Sequence, residues 1–305
     1  MVPMVMKQGR LAPWLYLLPA LILITVFIVY PTMRTVQLSF LDAHGKDSAA
    51  GNCVPGEPCW GALENYRYAL TNPEMLAALR NNALWLLLMV PGTILGGLFF
   101  AVLADGVRYE SLAKSIIFMP MAISFVGAGI IWRFVYTVQS GGGPQIGTLN
   151  AIIVNLGGQP VAWLSNPDPL VNNVSLMLVG VWLWAGFCMT ILSAAIKGVS
   201  SEMLEAARVD GANEWQVFWK IVLPNIMSTV LVVTTSMFII ILKVFDVVFV
   251  MTGGNYGTEV IANRMFQLIV TNSGRSAVIA VLLIAVTIPI MILNSRAVRQ
   301  QEKSR

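Results

Sequence analysis

The sequence predicts an all-α integral membrane protein with six transmembrane helices and one polar helical loop on a single face. Three observations predict it. Hydrophobic residues fill 57% of the 305 positions and charged residues only 11%, whereas a soluble domain carries about 25% charge. The apolar residues gather into six long runs, and roughly 20 apolar residues suffice to cross a bilayer as helix. The one sizeable charged stretch between two such runs, Ser201 to Asn225, carries helix start and stop signals.

The spans are expected at about 14–38, 81–104, 112–137, 170–196, 225–250 and 276–295, in a single transmembrane domain covering 1–305. Lys7 and Arg10 precede the first run as they would in a signal peptide. Its apolar stretch exceeds the roughly 7–15 residues of a signal core, and no A-x-A-like site follows, so it reads as an uncleaved span. The second span opens at Asn81 and Asn82, where helix capping is the plain role. The third is expected as one span over about 112–137. The fourth holds Trp182 and Trp184, too deep for the interfacial aromatic belt. Leu223-Pro224 opens the fifth, because proline is tolerated in a first helical turn.

Basic residues set the orientation. Lys7, Arg10, Arg108, Lys114, Lys197, Arg208, Lys220, Arg296, Arg299, Lys303 and Arg305 fall on one side, against Arg34, Lys46, Arg67, Arg80, Arg133, Arg264 and Arg275 on the other. Both termini are therefore expected in the cytoplasm. The net charge of +4 suits a membrane surface, and no basic patch interleaved with aromatics calls for nucleic acid.

Of three cysteines, Cys53 and Cys59 share the first outer loop. A disulfide closing a small loop and two unpaired small residues both fit there. Cys188 falls within the fourth span as a packing residue. In the second outer loop Ile146, Leu149, Ile152, Ile153 and Leu156 recur at helical spacing, which predicts a short amphipathic helix with Trp163 at the interface.

No catalytic set is present. His44 is the single histidine and stands in an outer loop; there is no G-x-x-x-x-G-K-[ST], H-x-x-x-H or C-x-x-C, and Gly141 to Gly143 lack a following lysine. No metal-binding group is expected.

The polar loop, 197–224, reads as two short helices. Ser200 or Ser201 caps the first, Glu202 favours its positive end, and Ala206 and Ala207 support its middle. Gly211 supplies the positive φ that stops it, and Asn213 with Gln216 makes a capping box for the second. Trp215, Phe218, Trp219 and Val222 then form an apolar stripe. Within the fifth span, Thr234, Thr235 and Ser236 fall near mid-membrane, and Lys243 and Asp246 stand three residues apart on one expected helical face. Ionisable groups in a span are pathway candidates by default, with a helix-gluing ion pair as the equal alternative. One of Trp182 and Trp184 is expected to line the pathway and the other to pack.

The order E-A-A, Gly four residues after the second alanine, and I-x-L-P ten residues further resembles the signature of ATP-binding-cassette (ABC) importer permeases. Together with D-G-A and W-Q-x-F, six spans and F-D-V-V-F-V-M-T-G-G, it is similar over nearly the whole chain to the carbohydrate permeases of the maltose and glycerol-phosphate type. The stretch Lys243 to Phe266 looks like their α-glucoside branch. The resemblance implies the type I importer permease fold and makes Glu205, Ala206, Ala207, Arg208, Asp210 and Gly211 the residues that couple to an ATPase. It further implies a second homologous permease, two ATPase subunits that carry the ATP and magnesium, and an extracytoplasmic solute-binding protein. The chain itself would hold no cofactor. It would sit in the bacterial inner membrane and pass a glucoside such as trehalose, maltose, sucrose or glucosylglycerol along Trp182, Trp184, Thr235, Ser236, Lys243 and Asp246. Many relatives have a proline where Ser200-Ser201 stands. Import of glycerol phosphate is the alternative substrate, although no basic cluster favours it. A secondary transporter would need an internal repeat and an ion path.

Overall fold

A computed structural model describes residues 12–41, 61, 63–139, 141 and 143–303, with side chains from 14 to 292 within those ranges. Lys7, Arg10, His44, Lys46, Cys53, Cys59 and Arg305 lie outside them. Two compact units divide the chain, one of 1–69 with 268–281 and one of 70–267 with 282–305.

In the first unit, α1 (Ala12–Ile24) passes through a π turn (Thr25–Val29) into α2 (Tyr30–Ser39), and α3 (Glu64–Thr71) follows. The apolar window of Trp14–Ser39 is not buried by the chain at all. Asn65 fastens α3 to the end of α2 by donating to the carbonyls of Ser39, at 3.2 Å, and Leu41. Arg275 lies 4.4 Å over the Tyr68 ring.

The second unit is built on α4 (Pro73–Ala104) and, later in the chain, α8 (Pro169–Lys197), which form the most extensive helix pair. Small residues let their backbones close up. A Cβ on Gly97 would collide with Cys188 and lie 2.9 Å from the Met189 nitrogen. Between these helices the chain forms α5 (Glu110–Phe118), a 3₁₀ turn (Met119–Ala122), α6 (Phe125–Val135) and α7 (Thr148–Asn155). The two short helices of the polar loop follow, α9 (Ser201–Val209) and α10 (Glu214–Val217), then a π turn (Phe218–Val222) and α11 (Leu223–Leu242). The short α12 (Asp246–Met251) precedes α13 (Ile261–Thr271) and α14 (Ser273–Lys303).

Among the described residues, five helices are long and apolar enough to cross a membrane, and the α5–α6 pair makes a sixth if counted as one span. The all-α class and the run of apolar helices match expectation; several boundaries do not. The second helix begins at Pro73, not 81. Asn72 caps it, accepting from the Glu74 and Met75 amides at 3.0 and 3.4 Å, with proline in the first turn. The third span is not continuous over 112–137: α5 and α6 meet at a bend of 100°. Pro120 and the start of a new helix at Ser124, whose Oγ accepts from the Gly127 amide at 3.1 Å, divide it. The fifth does not run to 250 but stops at Leu242.

The outer amphipathic helix exists as Thr148–Asn155, with Ile152 and Leu156 exposed. Trp163 packs against Tyr136, ring centroids 5.8 Å apart, and donates to Asn150.

Both π turns have one cause. Pro31 and Pro224 each stand two residues beyond the turn. A proline ring clashes with the carbonyl four residues back, and one wider turn absorbs the clash without ending the helix. Tyr30 and Leu223 accordingly donate to the carbonyls five residues back, Thr25 and Phe218.

Candidate functional site

The second unit encloses a cavity at the place where α11 breaks. Trp85 and Met89 of α4, Phe125 of α6, Leu183 and Trp184 of α8, and Lys243, Phe245 and Asp246 at the break line it. Trp184 lies on Phe125 with nearly parallel rings, 29° apart at 5.9 Å, and meets Phe187 edge-on. The result is a wall of aromatic faces beside one cation and one anion.

The break has a specific cause. A helix continuing past Leu242 would give that residue's carbonyl to the Asp246 amide. Instead Asn82, 2% exposed in the middle of α4, donates to the Leu242 carbonyl at 3.1 Å and accepts from the Ile261 amide at 2.8 Å. Its neighbour Asn81 donates to the carbonyls of Gly257 and Glu259, both at 2.8 Å. A second pair on α8 acts alike: Asn172 donates to Tyr256 O at 2.9 Å and Asn173 to Gly257 O at 3.0 Å. These asparagines are therefore not caps. They pin the segment Thr252 to Ile261, in which Tyr256 holds a left-handed φ of 56°.

Because the helix ends, the three-residue spacing of Lys243 and Asp246 no longer places them on one face. No ion pair joins them; Lys243 is exposed and Asp246 half-buried, and both border the cavity. Thr235 and Ser236 lie away from it and donate to their own helix, to Leu231 and Val232 carbonyls at 2.9 Å. Trp182 packs edge-on against Trp132 at 5.6 Å. Of the six expected pathway residues, the structure gathers Trp184, Lys243 and Asp246 and leaves Trp182, Thr235 and Ser236 elsewhere. Phe125 and Phe245 were not expected. M-P-M-A-I-S carried the signal for Phe125, since proline followed by a serine cap marks a restart; nothing local singles out Phe245.

The polar loop stands at the other end of α8. Ser200 takes the cap position of α9 but makes no side-chain cap bond. Gly211, at φ 86°, closes the helix with two hydrogen bonds: its amide donates to Arg208 O at 3.1 Å, and the Ala212 amide to Ala207 O at 3.0 Å. The expected capping box is present, Asn213 and Gln216 exchanging bonds of 3.0 and 2.8 Å. Leu204 and Ala207 pack towards buried Val217, Val222 and Ile226. Glu205, Ala206, Arg208, Asp210 and Gly211 remain exposed, with Val209 at 87% the most open of the apolar ones.

Two expectations change here. α10 is not a separate helix, since Glu214–Leu242 is one 29-residue element. At 1.5 Å per residue it is longer than a bilayer core of about 30 Å is thick. The π turn also shifts the register, so the apolar stripe splits: Val222 turns inwards beside Val217, while Trp215 and Trp219 form an exposed edge-on pair. Arg208 is held within the loop. It grips Glu214 through two bonds of 2.8 and 3.3 Å, which raises the Arg208 pKa and lowers that of Glu214.

Substituting Gly211 by valine should cost about 1–3 kcal/mol of local stability, because a β-branched residue is strained at positive φ. Faster amide exchange at Gly211 and Ala212, with the transmembrane helices unaffected, is the expected reading.

Residues 85–303, which include the cavity and the polar loop, match the family model described as the binding-protein-dependent transport system inner membrane component. The chain belongs to this family of ABC permeases. It is 50% identical over 293 residues to the osmoprotective compounds uptake permease protein GgtC of Synechocystis, covering 95% of this chain and 100% of that one. It is 44% identical over 291 residues to the α-glucoside transport system permease protein AglF of Rhizobium meliloti, covering 94% and 82%. Its fold is that of a chain in a bacterial ABC transporter involved in alginate import, with a TM-score of 0.74 at 21% identity over 94% and 95% of the two chains. This permease is a membrane component, and ATP hydrolysis belongs to a separate subunit.

Proposed function

We propose that this permease imports an α-glucoside-like carbohydrate through the cavity at the α11 break. The observation that carries this reading is the wall of Phe125 and Trp184 rings set beside Lys243 and Asp246. The apolar faces of a sugar ring fit flat aromatic surfaces, and its hydroxyls can both donate to Asp246 and accept from Lys243. The two charges balance, which suits a neutral glucoside better than glycerol phosphate. The names of the two relatives, one for osmoprotective compounds and one for α-glucosides, support the same class. Trehalose, maltose, sucrose and glucosylglycerol all have the chemistry required.

In this reading both termini face the cytoplasm of a bacterial inner membrane. A second homologous permease completes the pathway, a solute-binding protein delivers sugar from outside, and two ATPase subunits with ATP and magnesium dock below. Glu205, Ala206, Arg208, Asp210 and Gly211 offer the docking face, with Ala207 supporting it from within. ATPase closure would move the coupling helices and turn the cavity outward.

The test is ATP hydrolysis by the reconstituted assembly, with and without Glu205→Ala. Sugar and binding protein should stimulate the parent assembly, and the variant should lose at least about tenfold of that stimulation, since an interface charge pair is worth about 1.5 kcal/mol or more. Uptake driven by an ion gradient with no ATPase attached would refute the proposal.

A further inference from the structure

A charged cluster lies outside the cavity and the coupling loop but touches the helices that lead to both. Lys114 of α5 places Nζ 2.5 Å from Asp105 Oδ1 and 2.6 Å from Glu110 Oε1, and also reaches Ser193 Oγ of α8. Ser193 donates to Asp105 Oδ1 at 2.8 Å. One helical turn further along α8, Lys197 pairs with the same Glu110 oxygen. Lys114, Asp105 and Glu110 are each less than a third exposed, so these bonds are less screened than ordinary surface pairs.

The location gives the cluster its meaning. Asp105 is the residue that ends α4, Glu110 and Lys114 form the first turns of α5, and Lys197 is the last residue of α8. Only Gly198 to Ser200 separate Lys197 from the coupling helix α9. At the far end of α5 lies the 100° bend, and just beyond it Phe125 stacks on Trp184 in the cavity wall. A continuous path thus runs from α9 through Lys197 and Ser193 to Glu110 and Lys114, along α5, around the bend and into the cavity. Along this path Gly186 brings α8 against α5 so closely that a Cβ there would lie 2.7 Å from the Phe118 Cα.

We infer that this cluster is the rigid joint by which movement of the coupling helix is carried to the broken third span, with Lys114 as its positioning residue. The inference rests on the importer reading above. A joint must stay closed while α8 and α5 move as one body, and a lysine held by two carboxylates and a hydroxyl meets that need better than a single pair. Without Lys114, Asp105 and Glu110 would repel each other across the α4–α5 turn, and α5 would lose its hold on α8.

The experiment measures sugar moved per ATP hydrolysed in the reconstituted assembly. Lys114→Met should keep binding-protein-stimulated hydrolysis within about twofold of the parent while sugar moved per ATP falls at least about tenfold. A merely structural role would lower both together. In a background with Cys53 and Cys59 replaced by serine, the pair Glu110→Cys and Lys197→Cys is then cross-linked by oxidation. A joint that stays closed tolerates the bond, so transport by the oxidised double-cysteine assembly should remain within about twofold of that by the same assembly reduced. Loss of transport on cross-linking, restored by reduction, would show instead a contact that opens in each cycle and would overturn the inference. So would a Lys114→Met assembly with an unchanged ratio. A parent assembly without ATP-dependent uptake would sink the importer reading and this inference together, whereas a normal parent beside an unaffected Lys114→Met would sink the inference alone.

Discussion

Substituting Asn82 by alanine should destabilise the permease by about 2–6 kcal/mol. The substitution leaves the Leu242 carbonyl and the Ile261 amide without their partner. Each buried orphan costs about 1–3 kcal/mol in a protein interior, and surrounding lipid supplies no water to relieve it. The consequence extends to the cavity. With the Leu242 carbonyl free, the Asp246 amide can claim it, α11 can run on, and Lys243 and Asp246 then rotate onto one helical face. A fall in thermal unfolding temperature in detergent, together with loss of sugar binding, is the expected outcome. An unchanged unfolding temperature would show that another group holds the break open. Asn82→Asp separates the two bonds, since a carboxylate still accepts from Ile261 but cannot donate to Leu242.

Trp184→Ala should raise the sugar concentration for half-maximal uptake about tenfold or more. Losing an aromatic contact costs about 0.5–1.5 kcal/mol beyond the area it buries, and 1.4 kcal/mol is a factor of ten. Trp184→Phe keeps a flat ring against Phe125 and should recover most of the loss, which separates a missing stacking surface from a collapsed wall. Trp182→Phe is the matching control: its neighbour is Trp132, away from the cavity, so its effect should fall on stability and leave half-saturation alone. If both tryptophans shift half-saturation equally, the cavity is not where sugar binds.

The sequence revealed the features whose physics is local. In the polar loop the stop at Gly211 and the Asn213–Gln216 box were legible, because each acts within a few positions of itself. Long apolar runs gave the number and approximate place of the spans for the same reason. What stayed hidden depends on partners distant in the chain. Asn82 meets residues 160 and 179 positions away, and no pattern around it distinguishes such a pin from a cap. The end of α11 was unreadable for this cause, since K-V-F-D contains neither glycine nor proline and the break is imposed from α4. The early start of α4 was readable in principle: Asn72-Pro73-Glu74 is a full start signal, obscured because the apolar run begins only later.

The closed ends of α9 and α10 bear on how the loop could meet another protein. Where the two helices meet, the Gly211 turn and the capping box satisfy their terminal backbone groups from within, and the Arg208–Glu214 pair ties the turn together. Nothing in the loop has to order itself on contact, so little conformational entropy opposes docking. A surface prepared in this way transmits displacement with little give, in the manner of a bearing rather than a tether. It would deliver the same stroke whether the grip upon it were tight or loose.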